Sequence, residues 1–598
     1  MLGKDWRREI WTQIEAYDGP WDILVIGGGI TGAGIFREAA RLGLKALLVE
    51  QRDFAWGTSS RSSKLVHGGL RYLKEGKLGL MRASISEREH LLEDGPGLID
   101  PLGFLLTIYK GDSPGRWTYN VGLSVYYLLA LRCDHEYYSA HDFQMLAPHI
   151  KQEALKGGFR YGDAQTDDAR LVFRVIREAI ADGGIAMNYV RAENLILEDQ
   201  EDGSSKVVGV QLCDMETGIG LVARARIVVN ATGAWVDQFR QQVGCAACIR
   251  PLRGSHLIFP GWRLPVAQGV SFLHPIDQRP VFIIPWEGVT LVGTTDVDHV
   301  YPLETEPRIS PDEVAYLMAA VEYQFPSLEI TLDDMLSTYA GVRPVIGSGK
   351  ENPSEESREH IILVENWLLT VTGGKMTTFR LIGLDAFKAI HHRLPEIPKI
   401  EEDIPVLNRV DLELPQKAYI EESSRRRLLG RYGADASPLV DAAREGELEP
   451  IPGTRVLWAE LRWASHAEGV VHLDDLLLRR VRLGLLLPRG GADLFPAIRA
   501  ICQPELGWDD ARWEKEEADY LEVWHEYYGL PEQSEIPDWH TELVECLTQR
   551  RILRAVRRQK LTRRAVLVGI LAALGVVSIM GYRFWRRRDR ILQEGTDG

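Results

Sequence analysis

Apolar and polar positions alternate in a telling order near the start of the chain. A short apolar run, Ile23 to Ile26, strikes a glycine cluster. A helix rich in small residues follows, and a second apolar run, Ala46 to Val49, ends on Glu50. Runs of that length bounded by glycine read as buried strands, and the stretch between them as a crossover helix. Gly27, Gly29 and Gly32 fit G-x-G-x-x-G, and Glu50 falls 18 residues after Gly32. Strand, turn, helix, strand and acid in this order predict a site for an adenine dinucleotide. Gly27 permits the tight turn, Gly29 lets backbone N–H groups approach a pyrophosphate, and Gly32 lets the helix lie close to the strand. Glu50 is placed to accept from ribose hydroxyls.

Further along, residues 168–183 have helical spacing, with Leu171, Val172, Val175, Ile176 and Ile180 on one face. Val207 to Leu212 and Ala225 to Val229 read as strands, and the second meets a small-residue turn at Thr232-Gly233. Residues 250–345 carry β-branched runs with turns between them, the mark of an antiparallel sheet. Residues 367–390 run strand, Gly373-Gly374, helix, and 391–415 read as a linker. From about 416 to 550 the spacing is helical. Residues 100–160 are mixed, and the aromatic stretch Trp117, Tyr119, Tyr126 and Tyr127 reads as helical cover or a peripheral surface.

The last apolar run differs in kind. Ala565 to Tyr582 has 18 residues and no charge, and with Phe584 and Trp585 it is just long enough to cross a hydrocarbon core. Between Arg550 and Arg590 there are 13 Lys or Arg and one acid, so the rest of the chain is more acidic than the net charge of −15 indicates. Eight basic residues precede the run (550–564) and five follow it (583–590), which places the N-terminal body on the cytoplasmic side of an inner membrane. The first twenty residues are charged and lack the apolar core of a secretory signal.

Composition adds bounds. At 598 residues, 45% hydrophobic, the chain exceeds one core and implies two or three domains. Six cysteines in that length suggest a reducing compartment rather than a disulfide framework, and Cys245-x-x-Cys248 has no second pair at zinc spacing. No metal site is expected. Asp167-Asp168 and Asp333-Asp334 read as capping or surface groups. Together these readings predict an α/β + α protein. Residues 1–400 form a two-part Rossmann-like FAD-binding domain (core about 20–90, 165–235 and 337–390) with interleaved antiparallel-sheet substrate segments (about 95–160 and 245–335). A helical domain occupies 401–550 and a transmembrane helix 563–585.

The motifs after Glu50 are the distinctive ones: DFAWGTSSRSSKLVHGGLRYL (53–73), YGDAQTDDARL (161–171), NATGAWVD (230–237), RGSHLIFP (253–260), VGTTD (292–296), YAGVRP (339–344) and TGGKMTTFR (372–380). In this ordered set the chain resembles the FAD-dependent glycerol-3-phosphate dehydrogenases, quinone-linked members of the D-amino-acid-oxidase-like flavoproteins. The likeness runs from about 20 to 400 and less sharply to about 540. It implies hydride transfer from C2 of glycerol 3-phosphate to a non-covalent FAD, with dihydroxyacetone phosphate as product, a membrane quinone as acceptor, and by analogy a homodimer. The terminal apolar run departs from the better-known members, which are held at the membrane by peripheral contacts.

The resemblance also assigns residues. Gly27, Gly29, Gly32, Glu50, Thr58, Ser59, Ser63, Lys64, His67, Thr232, Gly233, Gly374, Lys375 and Thr377 face the flavin cofactor. Arg71, Tyr72 and Arg279 contact substrate, and His256, Arg343 and Lys375 form the catalytic group. Guanidinium groups suit a dianionic phosphate because they bind it in a bidentate way and keep their charge. Neutral imidazole suits proton removal near pH 7, and Lys375 or a held water is the rival acceptor. Three alternatives stand beside this reading. They are an oxidase passing electrons from the same substrate to oxygen, an amino-acid or secondary-amine oxidase, and a non-catalytic membrane-anchored flavoprotein sensor. The quinone pocket is not legible, with the helical region and residues 117–127 as candidates.

Overall fold

The computed structural model describes the chain from Asp5 to Glu594, apart from 70–75, 113, 130–134, 348, 351–355, 357–358, 395–397, 399–400, 402–403, 411–412 and 416–419. The side chains of 129, 554–570, 573, 577 and 587–594 also lie outside the description. Two compact units result: residues 1–273 with 279–537, and residues 274–278 with 538–598.

Two sheets organise the larger unit. In the first, the strand Trp21–Ile26 is central, and from Ile23 to Ile26 it is apolar and buried on both faces. It pairs in parallel with Ala46–Val49 (Ile23 beside Ala46) and with Gly220–Asn230 (Ile23 beside Ile227). Ile185–Met187 extends the parallel array beyond Ala46–Val49, and Leu368–Gly373 extends it beyond Gly220–Asn230. Strands buried on both faces have no polar side to alternate with, so they read as continuous apolar runs. The helices Ile30–Arg41, Asp168–Ala181 and Phe379–Ile390 supply Ala33, Phe36, Val172, Val175, Ile176, Ile382 and Phe387 to one core against this sheet. The predicted βαβ unit and the returns to it at 225–233 and 367–390 are all present.

The second sheet is mostly antiparallel and has ten strands. Near one end Ile249–Pro260 lies between Val289–Gly293 and Ser337–Ile346, so that His256 stands between Gly293 and Tyr339 in register. Two of its longest strands, Ile99–Tyr109 and Leu155–Thr166, come from the region read as mixed cover. Pro101 and Gly103 in one strand and Gly157, Gly158 and Gly162 in the other interrupt the side-chain alternation that would have marked them. The aromatic stretch splits its roles. On the helix Arg116–Leu129, Trp117 is 81% exposed, whereas Tyr126 and Tyr127 are buried.

The helical segment 420–537 packs on this body through buried charge as well as apolar surface. Asp168 and Asp167 illustrate the point. Asp167 caps its helix, accepting from the Arg170 backbone N–H, but it also pairs with Arg431 at 2.5 Å. Asp168 is not a surface group. It is fully buried and binds Lys64 at 2.7 Å and Arg482 at 2.9 Å. Asp334 caps a short 3₁₀ turn and pairs with Arg263, and Asp333 accepts from Gln533.

The smaller unit contains the single long helix Trp539–Glu594. Among the described residues no helix is long and apolar enough to cross a membrane. Most side chains of 554–570, which include the start of the terminal apolar run, lie outside the description.

Candidate active site

The glycine turn is built as the spacing requires. Gly27 has φ +111°, and a Cβ there would lie 2.6 Å from the Ala231 carbonyl. A Cβ on Gly32 would lie 1.9 Å from the Gly27 carbonyl oxygen, so the helix can reach the strand only with glycine at that position. Gly29 is the N-cap of Ile30–Arg41. The Gly28 N–H donates to Glu50 at 2.7 Å, and the Arg52 N–H donates to the same carboxylate at 3.0 Å. Burial raises the Glu50 pKa, and these two N–H groups oppose that rise. The turn, the helix start and a carboxylate whose remaining lone pairs can accept ribose hydroxyls form a cradle that fits the adenosine diphosphate half of FAD.

Residues 58–64 tie this cradle to the second sheet. Ser59 Oγ accepts from the Ile30 N–H at 2.9 Å. The Thr58 hydroxyl donates to the Val342 carbonyl on Ser337–Ile346. Ser63 Oγ is hydrogen-bonded to His256 Nε2 at 2.9 Å. Lys64 turns elsewhere, with Nζ on the Ser60 carbonyl at 2.6 Å and on Asp168. Its pKa falls to about 7, chiefly through burial and then through nearby Arg482. Thr377 Oγ1 accepts from the His67 N–H at 3.2 Å, which brings the last motif to the first. Thr232 donates to Asn230 at 2.7 Å, Gly233 has φ +63°, and its carbonyl accepts from Thr372.

His256 is 3% exposed and stacks on Tyr339, with ring centroids 4.6 Å apart and planes 12° apart. Gly293 makes room for it, since a Cβ there would lie 2.2 Å from His256 Cδ2. Among the described residues Nδ1 has no hydrogen-bond partner. Burial, then the charges of Lys64 and Arg343, hold the imidazole pKa well below 6.5, so the ring is neutral at pH 7. Arg343 lies on the neighbouring strand opposite Leu252. Gly254 lets it approach, because a Cβ there would lie 2.9 Å from Arg343 Nη2. Arg279 precedes Pro280–Trp286 and shares Asp296 with Arg343. Lys375 follows two positive-φ glycines, Gly373 (φ +75°) and Gly374 (φ +76°), at the start of the turn leading into Phe379–Ile390. Arg71 and Tyr72 lie outside the described residues.

Three buried acids lie inside the quoted motifs but have no role assigned to them there. Asp296 closes VGTTD, and Asp163 accepts from the Gly68 N–H and from Arg88. Asp53 anchors Arg479 and Arg480. A signal for the last group existed: three arginines within the apolar run LLLRRVRLGLLL (476–487) require buried partners.

The FAD dependent oxidoreductase family model matches residues 22–380, and the C-terminal domain of alpha-glycerophosphate oxidase matches 403–513. The aerobic glycerol-3-phosphate dehydrogenase of Staphylococcus aureus (strain USA300) is 34% identical over 485 residues, covering 77% of this chain and 86% of that protein. The chain belongs to the FAD-dependent glycerol-3-phosphate dehydrogenase family. Its cofactor is FAD. The glycerol-3-phosphate dehydrogenase of Bacillus halodurans, solved with FAD, superposes with a TM-score of 0.69 at 28% identity, over 88% of this chain and 98% of that one. The L-alpha-glycerophosphate oxidase of Mycoplasma pneumoniae shares the fold, with a TM-score of 0.52 at 18% identity over 66% of this chain and all of that one.

Proposed function

We propose that this chain oxidises sn-glycerol 3-phosphate to dihydroxyacetone phosphate and passes the electrons to a membrane quinone. The observation that carries the reading is the convergence on one sheet of a buried, neutral histidine with two arginines that share a single carboxylate. Bound FAD supplies the hydride acceptor. Arg279 and Arg343, with Arg71 from the adjoining motif, bind the phosphate dianion. Lys375, which follows the Gly373-Gly374 turn, would add a positive charge to the site. His256 accepts the proton of the C2 hydroxyl on its imidazole, and Ser63 and Tyr339 fix the ring's orientation. One basic group would suffice for an amino acid's carboxylate, so a cluster of them favours a phosphate over an amine or amino-acid substrate.

The electron acceptor and the location belong to the same proposal. The uncharged run 565–582, with arginines at both ends, anchors the chain in the inner membrane with its catalytic body on the cytoplasmic side. A quinone dissolved in that bilayer is then the nearest oxidant. The decisive experiment uses the detergent-purified full chain with FAD and adds glycerol 3-phosphate without oxygen. Flavin absorbance should bleach promptly and recover with a soluble quinone but not with air. Recovery in air with peroxide formation would make the protein an oxidase. A bound flavin that does not bleach would sink the substrate assignment.

A further inference from the structure

Asp296 is an acid in a place where an anion must bind. Its side chain is 1% exposed, and its two oxygens face different guanidinium groups. Oδ2 lies 3.2 Å from Arg279 Nη2, and Oδ1 lies 3.9 Å from Arg343 Nη2. Both arginines remain partly open, at 24% and 27% exposure. The carboxylate cannot drift. The preceding Thr295 hydroxyl donates to Glu313 at 2.6 Å and accepts from the Ser255 N–H at 2.8 Å. Glu313 in turn receives Ser255 and Arg253 and closes the capping box of the helix Pro311–Gln324. One rigid polar cluster therefore fixes both the strand that carries His256 and the acid that holds the arginines.

We propose that Asp296 is a positioning residue that yokes Arg279 and Arg343 into a phosphate clamp, trading anion affinity for orientation. The proposal rests on the phosphate-bearing substrate proposed above. Two guanidinium groups repel each other without an anion between them, and the carboxylate offsets that repulsion before substrate arrives. The same carboxylate repels a phosphate, so its charge weakens binding while its geometry places the bound molecule. A displacement of about 1 Å at a reacting carbon can cost roughly a hundredfold in rate. An acid that served affinity alone would have no reason to be here.

The test uses holoenzyme with Asp296→Asn, read in two ways. Inorganic phosphate is titrated against the flavin spectrum, which needs no turnover, and kcat is measured with glycerol 3-phosphate. We expect kcat to fall by about tenfold or more, while phosphate binds as tightly as in the parent or more tightly. A kcat within twofold of the parent overturns the proposal. So does a parallel loss of kcat and phosphate affinity, which would make the acid a support for the fold. If the Asn variant loses flavin, Asp296→Glu takes its place. It keeps the charge one methylene displaced, and the same split between kcat and phosphate affinity is expected, with loss of both again overturning the idea. Failure of the substrate reading shows separately, as a parent enzyme that binds phosphate but is not bleached by glycerol 3-phosphate.

Discussion

His256 is neutral because of where it sits. Burial removes the stabilisation of an imidazolium, and Lys64 and Arg343 add like-charge repulsion. A base with a depressed pKa stays in its working form as pH falls. The acid limb of kcat/KM should therefore lie well below 6.5, the value of a free imidazole. An acid limb at or above 6.5 would show that some other group accepts the proton. The same depression carries a stability cost. The unfolded chain binds a proton at 6.5 that the folded one refuses, so this residue lowers stability progressively as pH drops below 6.5. His256→Ala should lower kcat by about 10²- to 10⁴-fold with FAD retained, as measured by anaerobic single turnover. A second residue-scale test concerns Gly32. Its missing Cβ leaves 1.9 Å to a carbonyl oxygen, so Gly32→Ala must push the helix off the strand and should yield a folded body that loses FAD on gel filtration.

Elements show what the sequence could and could not reveal. The βαβ unit was legible because a parallel strand buried on both faces is apolar throughout, and because the glycine spacing follows from sterics. His256 and Arg343 stand in separate motifs, and their meeting on one sheet depends on strand register, which no local pattern encodes. The strands Ile99–Tyr109 and Leu155–Thr166 fall in or next to the segment 95–160 assigned to the substrate sheet, but glycines hid where in it they run. The ion pairs joining the helical segment to the nucleotide-binding body were lost because their partners lie some 300 to 430 residues apart. Arg480 donates to both oxygens of Asp53, at 2.6 and 2.9 Å, with both residues fully buried. Removing Arg480 leaves Asp53 with Arg479 alone at 2.6 Å, so the loss is only part of the about 3–5 kcal/mol that a fully stranded buried charge costs. Arg480→Ala should lower the unfolding temperature measured by calorimetry. It should also loosen FAD, since Asp53 lies three residues beyond Glu50. An unchanged unfolding temperature would mean the pair contributes nothing net. His472 gives the same interface a pH dependence. Burial opposes its protonation, but Glu216 on one side and Glu516 on the other raise its pKa to about 10. Its contribution is complete below pH 6.5 and is lost as pH rises toward 10. The unfolding temperature of the parent should fall over that window relative to His472→Gln, and two parallel curves would refute the assignment.

At the scale of the whole molecule, the question is why an acidic body ends in a basic, apolar tail. The family fold accounts for residues 22–380 and 403–513, and neither match extends into the tail. The body, more acidic than the whole chain's −15, resists association with an anionic membrane surface, so peripheral contacts must work against its own field. The proposed anchor, an uncharged run of 18 residues, would supply an attachment that does not depend on that field. Neighbouring arginines add about 1 kcal/mol each near an anionic leaflet. Deleting 561–598 should therefore move the enzyme to the soluble fraction with its FAD and its glycerol 3-phosphate-dependent bleaching intact. Reduction of a water-soluble quinone should persist, and reduction of a quinone confined to vesicles should fall. High salt separates the two modes of attachment, because it screens charge but leaves apolar insertion in place. The full chain should stay on membranes through a salt wash. A truncated chain that remains membrane-bound at low salt would place the attachment in the body, and would leave the tail without the role argued for it.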